Sequence, residues 1–137
     1  MKLTPYQEDV YKGSICPYCK SATKSVTEEF IYGKKYKGKM MICCINFPTC
    51  DSYVGTHEKD STALGRLANR ELRQYKKVAH SHFDWIWKNE YEKRGFLYKE
   101  LSDFLGIDAE YTHIGYFNIA TCKKVIDWAI QRKKKWQ

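Results

Sequence analysis

Two short cysteine-bearing turns, Cys16-Pro-Tyr-Cys19 and Cys44-Ile-Asn-Phe-Pro-Thr-Cys50, constrain this chain more than any other feature. Each can place two sulfurs on one loop. The 24 residues between the pairs are enough for a hairpin that brings the second pair beside the first. Four thiolates from two loops form the tetrahedral all-sulfur site that zinc favours, and a shell closed in this way leaves no position for water. The expected cofactor is therefore one structural zinc, whose binding energy becomes folding energy for a β unit too small to stand unaided. Core thiols or disulfides are the competing readings of the same residues.

Adjacent Cys43 and Cys44 cannot both face the ion, because neighbouring side chains on a strand point to opposite faces. Cys44, last before the loop, is the expected ligand, and Cys43 is then a small buried hydrophobe. The N-terminal MKLTPYQEDVYKG has no apolar run after its lysine and is not read as a signal peptide. No stretch approaches the ~20 apolar residues of a membrane span. The expected setting is the cytoplasm, where thiols stay reduced and six cysteines point to metal more than to disulfides.

Residues 1–14 read as a loop or a loosely packed arm. Strands are expected at residues 26–32, 39–44 and 51–55, with a lysine-rich connection, GKKYKGK, between the first two. After Asp60-Ser61 the period becomes helical: Leu64, Leu67, Ala68, Leu72, Tyr75, Ala79, Phe83 and Ile86 fall on one stripe. A second helix over 94–105 is expected to bury Leu97, Leu101 and Phe104 and to stop at Gly106. A third, capped near Asn118, presents Ile119, Cys122, Val125, Ile126 and Ala129. The fold class is α+β, with a zinc-ribbon-like β unit at 1–59 packed on about three helices at 60–137.

The formal charge of +8 favours an anionic partner. Arg66, Arg70, Arg73 and Lys77 form a cationic stripe if the helix starts near residue 60. Lys34, Lys35, Lys37 and Lys39 interleave with Tyr32 and Tyr36, and Arg132 to Lys135 precede Trp136. Lysines and arginines neutralise phosphates while aromatic rings stack on unpaired bases; the bland reading of each patch is a solvated face. No glycine-rich phosphate loop, paired-acid motif or nucleophile elbow is present, so no enzyme activity and no small-molecule substrate are expected.

The run CINFPTCD resembles the second half of the C-terminal zinc ribbons of bacterial type I topoisomerases, which have a strand ending in Cys, two residues, an aromatic, Pro, one residue and Cys. That resemblance supports Cys44 as the ligand and implies single-stranded DNA binding. Over most of its length the chain resembles a phage and prophage family of zinc-finger-containing domains, through CPYC, CDSYVGTH, LGRLANRELR, AHSHFDWIW, THIGYF and Cys122 with the following KKVI. His57, His80, His113 and Cys122 fall in those stretches and make a candidate second zinc set. Asp84, one helical turn from His80, would orient its imidazole. Against it, Cys122 suits a core position and His57 and His113 suit backbone-bonding turns. His82 reads as a core histidine. The phage resemblance implies a counter-defence role, most concretely an anti-CRISPR type of inhibitor that binds a host Cas nuclease complex and blocks nucleic-acid loading. The alternative is a nucleic-acid-binding ribbon that contacts single-stranded DNA or RNA directly.

Overall fold

In the computed structural model, which describes residues 2–137, the centre of the N-terminal unit is a three-stranded antiparallel sheet. Its strands are β1 (Thr23–Thr27), β2 (Met40–Cys44) and β3 (Tyr53–Gly55), in that spatial order. The register sets Cys44 opposite Thr23, and Cys43 opposite both Lys24 and Tyr53. Residues 2–71 form this unit and residues 72–137 form a second, helical one. The class is α+β: a sheet carrying clustered cysteines, then a set of helices.

Three parts of the N-terminal unit differ from the sequence expectation. Residues 1–14 are neither a plain loop nor a loose arm, because Pro5–Tyr11 forms a helix, α1, that buries Val10. Thr4 and Gln7 cap it reciprocally, each side chain accepting the other's backbone N–H at 3.2 and 2.9 Å. Seven residues with one buried side chain, Val10, are too short to display a helical period. The first strand stops at Thr27 and does not continue to Tyr32. The Thr27 hydroxyl accepts the N–H of Phe30 and starts a second short helix, α2 (Glu28–Tyr32), which ends at left-handed Gly33. Glu28 is buried, and its carboxylate accepts the backbone N–H groups of Lys37 and Lys39, pinning the lysine-rich connection.

The largest correction concerns residues 61–68, which continue the apolar period of the next helix yet are not helical. Ser61 is left-handed, and Ala63 and Ala68 bridge to Thr56 and Tyr53 in extended pairing. Leu64 is 47% exposed while Leu67 is fully buried with the cysteines. Pairing with Tyr53, the first residue of β3, and with Thr56 just past its last outweighs local helix preference here. Gly13 makes room for this segment, since a Cβ at its position would lie 2.7 Å from that of Ala63.

The helical unit comprises α3 (Arg70–Lys88, whose first two residues belong to the N-terminal unit), α4 (Arg94–Leu105) and α5 (Ile119–Lys133). Phe83, Ile86, Leu97, Leu101, Val125 and Ala129 are buried here, and Phe83 meets Tyr98 and Trp128 at 4.7 and 6.2 Å. Gly106 caps α4 in the left-handed conformation, and the Asn118 side chain caps α5. Phe104 is not buried as expected. Ser102 turns inward instead, bonding the Ile107 carbonyl, and Phe104 lies over Trp128 from the rim, 54% exposed.

The basic C-terminus is also less free than its sequence suggests. Arg132 donates through Nε and a terminal nitrogen to both oxygens of Glu92, at 2.8 and 2.6 Å, and the Trp136 indole donates to the same carboxylate. The pair is largely buried, at 15% and 8% side-chain exposure. Arg132 holds the Glu92 carboxyl below its usual range. A carboxyl depressed on folding contributes stability above its unfolded value near 4.5, and loses it as pH falls through the native value. Glu92→Gln should therefore cost about 2 kcal/mol near neutrality, with the gap to the parent closing below pH 4.5 in denaturant titrations.

Candidate metal centre

The four sulfurs come from two turns that the sheet holds side by side. Ile15 and Ala22 bridge across the first turn, where Cys16 N–H donates to Ser21 O and Lys20 N–H to Cys16 O, both at 2.9 Å. Closing a turn this tight requires left-handed Lys20, at φ 64°. Cys44 ends β2 and begins the second turn, where Phe47 N–H donates to Cys44 O and Cys50 N–H to Asn46 O. The Phe47–Pro48 peptide in this turn is cis. A bond from Ile45 N–H to Ala22 O, 3.0 Å, joins the two turns.

Strand alternation sorts the adjacent cysteines. Cys44 shares a face with Ile42, which pairs with Val54, and these cluster with Cys16, Cys50 and Leu67. Cys43 lies on the opposite face and is also fully buried. The Sγ atoms of Cys16, Cys19, Cys44 and Cys50 all fall within 4.8 Å of one another, with Cys19–Cys44 at 3.3 Å and Cys16–Cys50 at 3.6 Å. A zinc ion with Zn–S bonds of ~2.3 Å would set a tetrahedron edge of about 3.8 Å. The donor set therefore fits zinc in identity, number and spread, and these four residues would hold it. When bound, such an ion would supply a structural cross-link between the two turns.

The thiols differ in acidity. Hydrogen bonds from the Ser21 hydroxyl and backbone, then from Cys44, hold Cys19 down to about 6. Burial pushes Cys44 up to about 12 and raises Cys50 as well. A bound dication favours all four thiolates together, which is why metal affinity at such sites falls as protons compete on acidification. Surrounding donors spread the resulting negative charge. Buried Ser52 places Oγ 3.2 Å from Cys16 Sγ and 3.6 Å from Cys50 Sγ, and Asn46 N–H lies 3.4 Å from Cys44 Sγ. Sequence reasoning passed over Ser21, Asn46 and Ser52; the available sign was a polar side chain two residues from a ligand.

The metal turns also reach the start of α3. Asn69 N–H donates to the Tyr18 hydroxyl at 3.0 Å, and Arg70 N–H to Asp51 Oδ2 at 3.2 Å. These bonds satisfy donors that a helix start leaves without intrahelical partners. Asp51→Ala should cost about 1 kcal/mol and speed amide exchange in the first turn of α3, while zinc content stays unchanged.

Among the described residues, the four cysteines are the group of three or more potential ligands that converges. His57, His80, His113 and Cys122 are not gathered into a second group. His57 lies exposed in a turn closed by its own backbone, with N–H to Thr62 O and O from Ser61 N–H. His80 Nδ1 sits 3.0 Å from Asp84 Oδ2, and the Trp87 indole donates to the other oxygen of that carboxylate. His113 is exposed beside Tyr98 and Tyr116, and Cys122 is buried on α5. His82 is half-buried, its Nδ1 3.2 Å from Lys133 Nζ. Arg70, Arg73 and Lys77 lie on α3, but Arg66 falls in the extended segment, with its guanidinium 6.0 Å from the Tyr11 ring centre. The expected four-residue helical stripe is thus shortened at its N-terminal end.

Comparison with family models matches residues 12–133 to the DUF3268 zinc-finger-containing domain. The chain belongs to that family. The match takes in both cysteine turns of this zinc-finger-containing protein and runs through α3, α4 and α5. No curated protein and no solved structure matches it. No helix among the described residues is long and apolar enough to cross a membrane.

Proposed function

We propose that this protein is a non-enzymatic, zinc-organised module that binds single-stranded nucleic acid. The observation that carries the reading is the lysine-rich connection between α2 and β2, which Glu28 pins through backbone N–H groups. Because the carboxylate is spent on the backbone, the connection is shaped without consuming the ammonium groups of Lys34, Lys35 and Lys37 there. Lys39 lies 3.2 Å from exposed Glu58, an ion pair that salt and competing phosphates weaken readily. Four thiolates saturate a zinc ion, so the centre supports a scaffold in preference to hydrolytic chemistry. A labelled oligothymidylate should bind at low salt, with affinity falling by about 0.7 log units per log unit of salt for each phosphate neutralised. Absence of binding at low salt would sink this reading.

A second reading draws on the phage-family resemblance. Here the protein is a counter-defence factor that binds a host Cas nuclease complex and blocks loading of guide or target. Its basic surface would compete for a channel built for nucleic acid, or dock on an acidic patch. A tagged pull-down with and without nuclease treatment separates the two. A host effector retained after nuclease treatment favours the inhibitor, and capture that vanishes with the nucleic acid favours direct binding.

A further inference from the structure

We infer that five rings beside the cysteine turns, Phe30, Phe47, Tyr53, Tyr32 and Tyr36, form a base-stacking platform selective for unpaired nucleotides. This rests on the nucleic-acid reading above and assigns the surface that would make it specific for single strands.

The rings form a continuous row drawn from different elements. Phe30 and Tyr32 stand on α2, Tyr36 on the lysine-rich connection, Phe47 on the second cysteine turn and Tyr53 on β3. Centroids follow one another at 5.8 Å (Phe30–Phe47), 6.1 Å (Phe47–Tyr53), 5.8 Å (Tyr53–Tyr32) and 5.3 Å (Tyr32–Tyr36). The last three contacts are edge-to-face, with interplanar angles of 83° to 89°. In such a contact one ring offers only its edge, so its own faces are not covered by the partner. Phe30, Tyr32 and Tyr36 are 48%, 44% and 58% exposed, a large apolar outlay for a surface with no binding role.

The aromatic row of the helical unit provides a contrast. Trp85, Tyr91 and Trp136 stack nearly parallel, at 29° and 17°, so that each contact covers one face of both rings. In the N-terminal row the neighbours meet mostly edge-to-face, and two of its rings also carry a lysine. Lys24 Nζ lies 4.8 Å from the Phe30 centre and Lys34 Nζ 5.2 Å from that of Tyr36, with Lys35 and Lys37 in the same connection. Rings that can accept base faces, with lysines beside them to neutralise phosphates, match the chemistry of an unpaired strand. A duplex hides its base faces and would meet only the lysines.

The test uses the full-length, zinc-loaded protein with two labelled probes, an oligothymidylate and a duplex of equal length. Tyr36→Ala and Phe30→Ala are exposed changes, and zinc content and circular dichroism check that each variant stays folded. Each should weaken oligothymidylate binding about tenfold and leave the salt slope unchanged. Tyr36→Phe, which keeps the ring face, should bind as the parent does. Lys34→Gln with Lys35→Gln should lower both affinity and slope. Parent-like binding by both alanine variants, or equal affinity for the duplex, would overturn the platform while leaving nucleic-acid binding intact. Failure of the parent to bind either probe at low salt would overturn both.

Discussion

Stripping the metal with a strong chelator is expected to unfold the sheet unit, residues 2–71, while the helices of residues 72–137 keep most of their ellipticity. The apolar cluster behind the sheet has six members, and three of them, Cys16, Cys44 and Cys50, are the ligands themselves. Without an ion that cluster retains Leu67, Ile42 and Val54, beside sulfurs that no longer share a charge. Structural zinc contributes about 10–16 kcal/mol of apparent binding energy in finger peptides. That matches or exceeds the roughly 5–15 kcal/mol by which an entire domain is stable. The helical unit has its own buried core in Phe83, Ile86, Leu97, Leu101 and Val125. Amide exchange resolved by residue is the measurement. Protection that persists at Met41 to Cys44 after complete metal loss would show that the sheet stands on its own packing.

The second large effect separates two adjacent residues of the same type and burial. Cys44→Ser should abolish stable zinc binding and unfold the sheet unit, because a serine hydroxyl replaces a thiolate in a four-sulfur shell. Cys43→Ser should retain full zinc content. Its cost is a hydroxyl buried on the other face of β2, which Cys43 shares with buried Met41, about 1–3 kcal/mol, seen as a lower denaturation midpoint. Zinc analysis alongside thermal denaturation of both variants distinguishes them. The reverse pattern would mean that β2 is shifted by one residue relative to β1 and β3.

The metal centre was legible because its evidence is chemical and local. Sulfur ligands are rare, their spacing within each turn is short, and the period-two alternation of a strand separates Cys43 from Cys44. β2 and β3 could be read for the same reason, as could the left-handed stop at Gly106. What escaped was decided by capping or by tertiary pairing. α1 and α2 are set by Thr4 and Thr27 hydroxyls, and such helices are too short for a periodic stripe. Residues 61–68 carry a helical period that is overruled by bridges to Tyr53 and Thr56. Leu67 was correctly identified as buried, but its neighbours are the cysteines and not a helix face. Ser52 could not be recognised as a partner of Cys16 until the fold placed them 3.2 Å apart.

A closed, four-sulfur zinc centre would organise the N-terminal unit by joining its two cysteine turns. X-ray absorption at the zinc edge of the purified protein, together with elemental analysis, tests it most directly. The expected result is one zinc per chain, surrounded by four sulfurs at ~2.3 Å. A first shell containing nitrogen or oxygen, or a second zinc held by histidine, would contradict it.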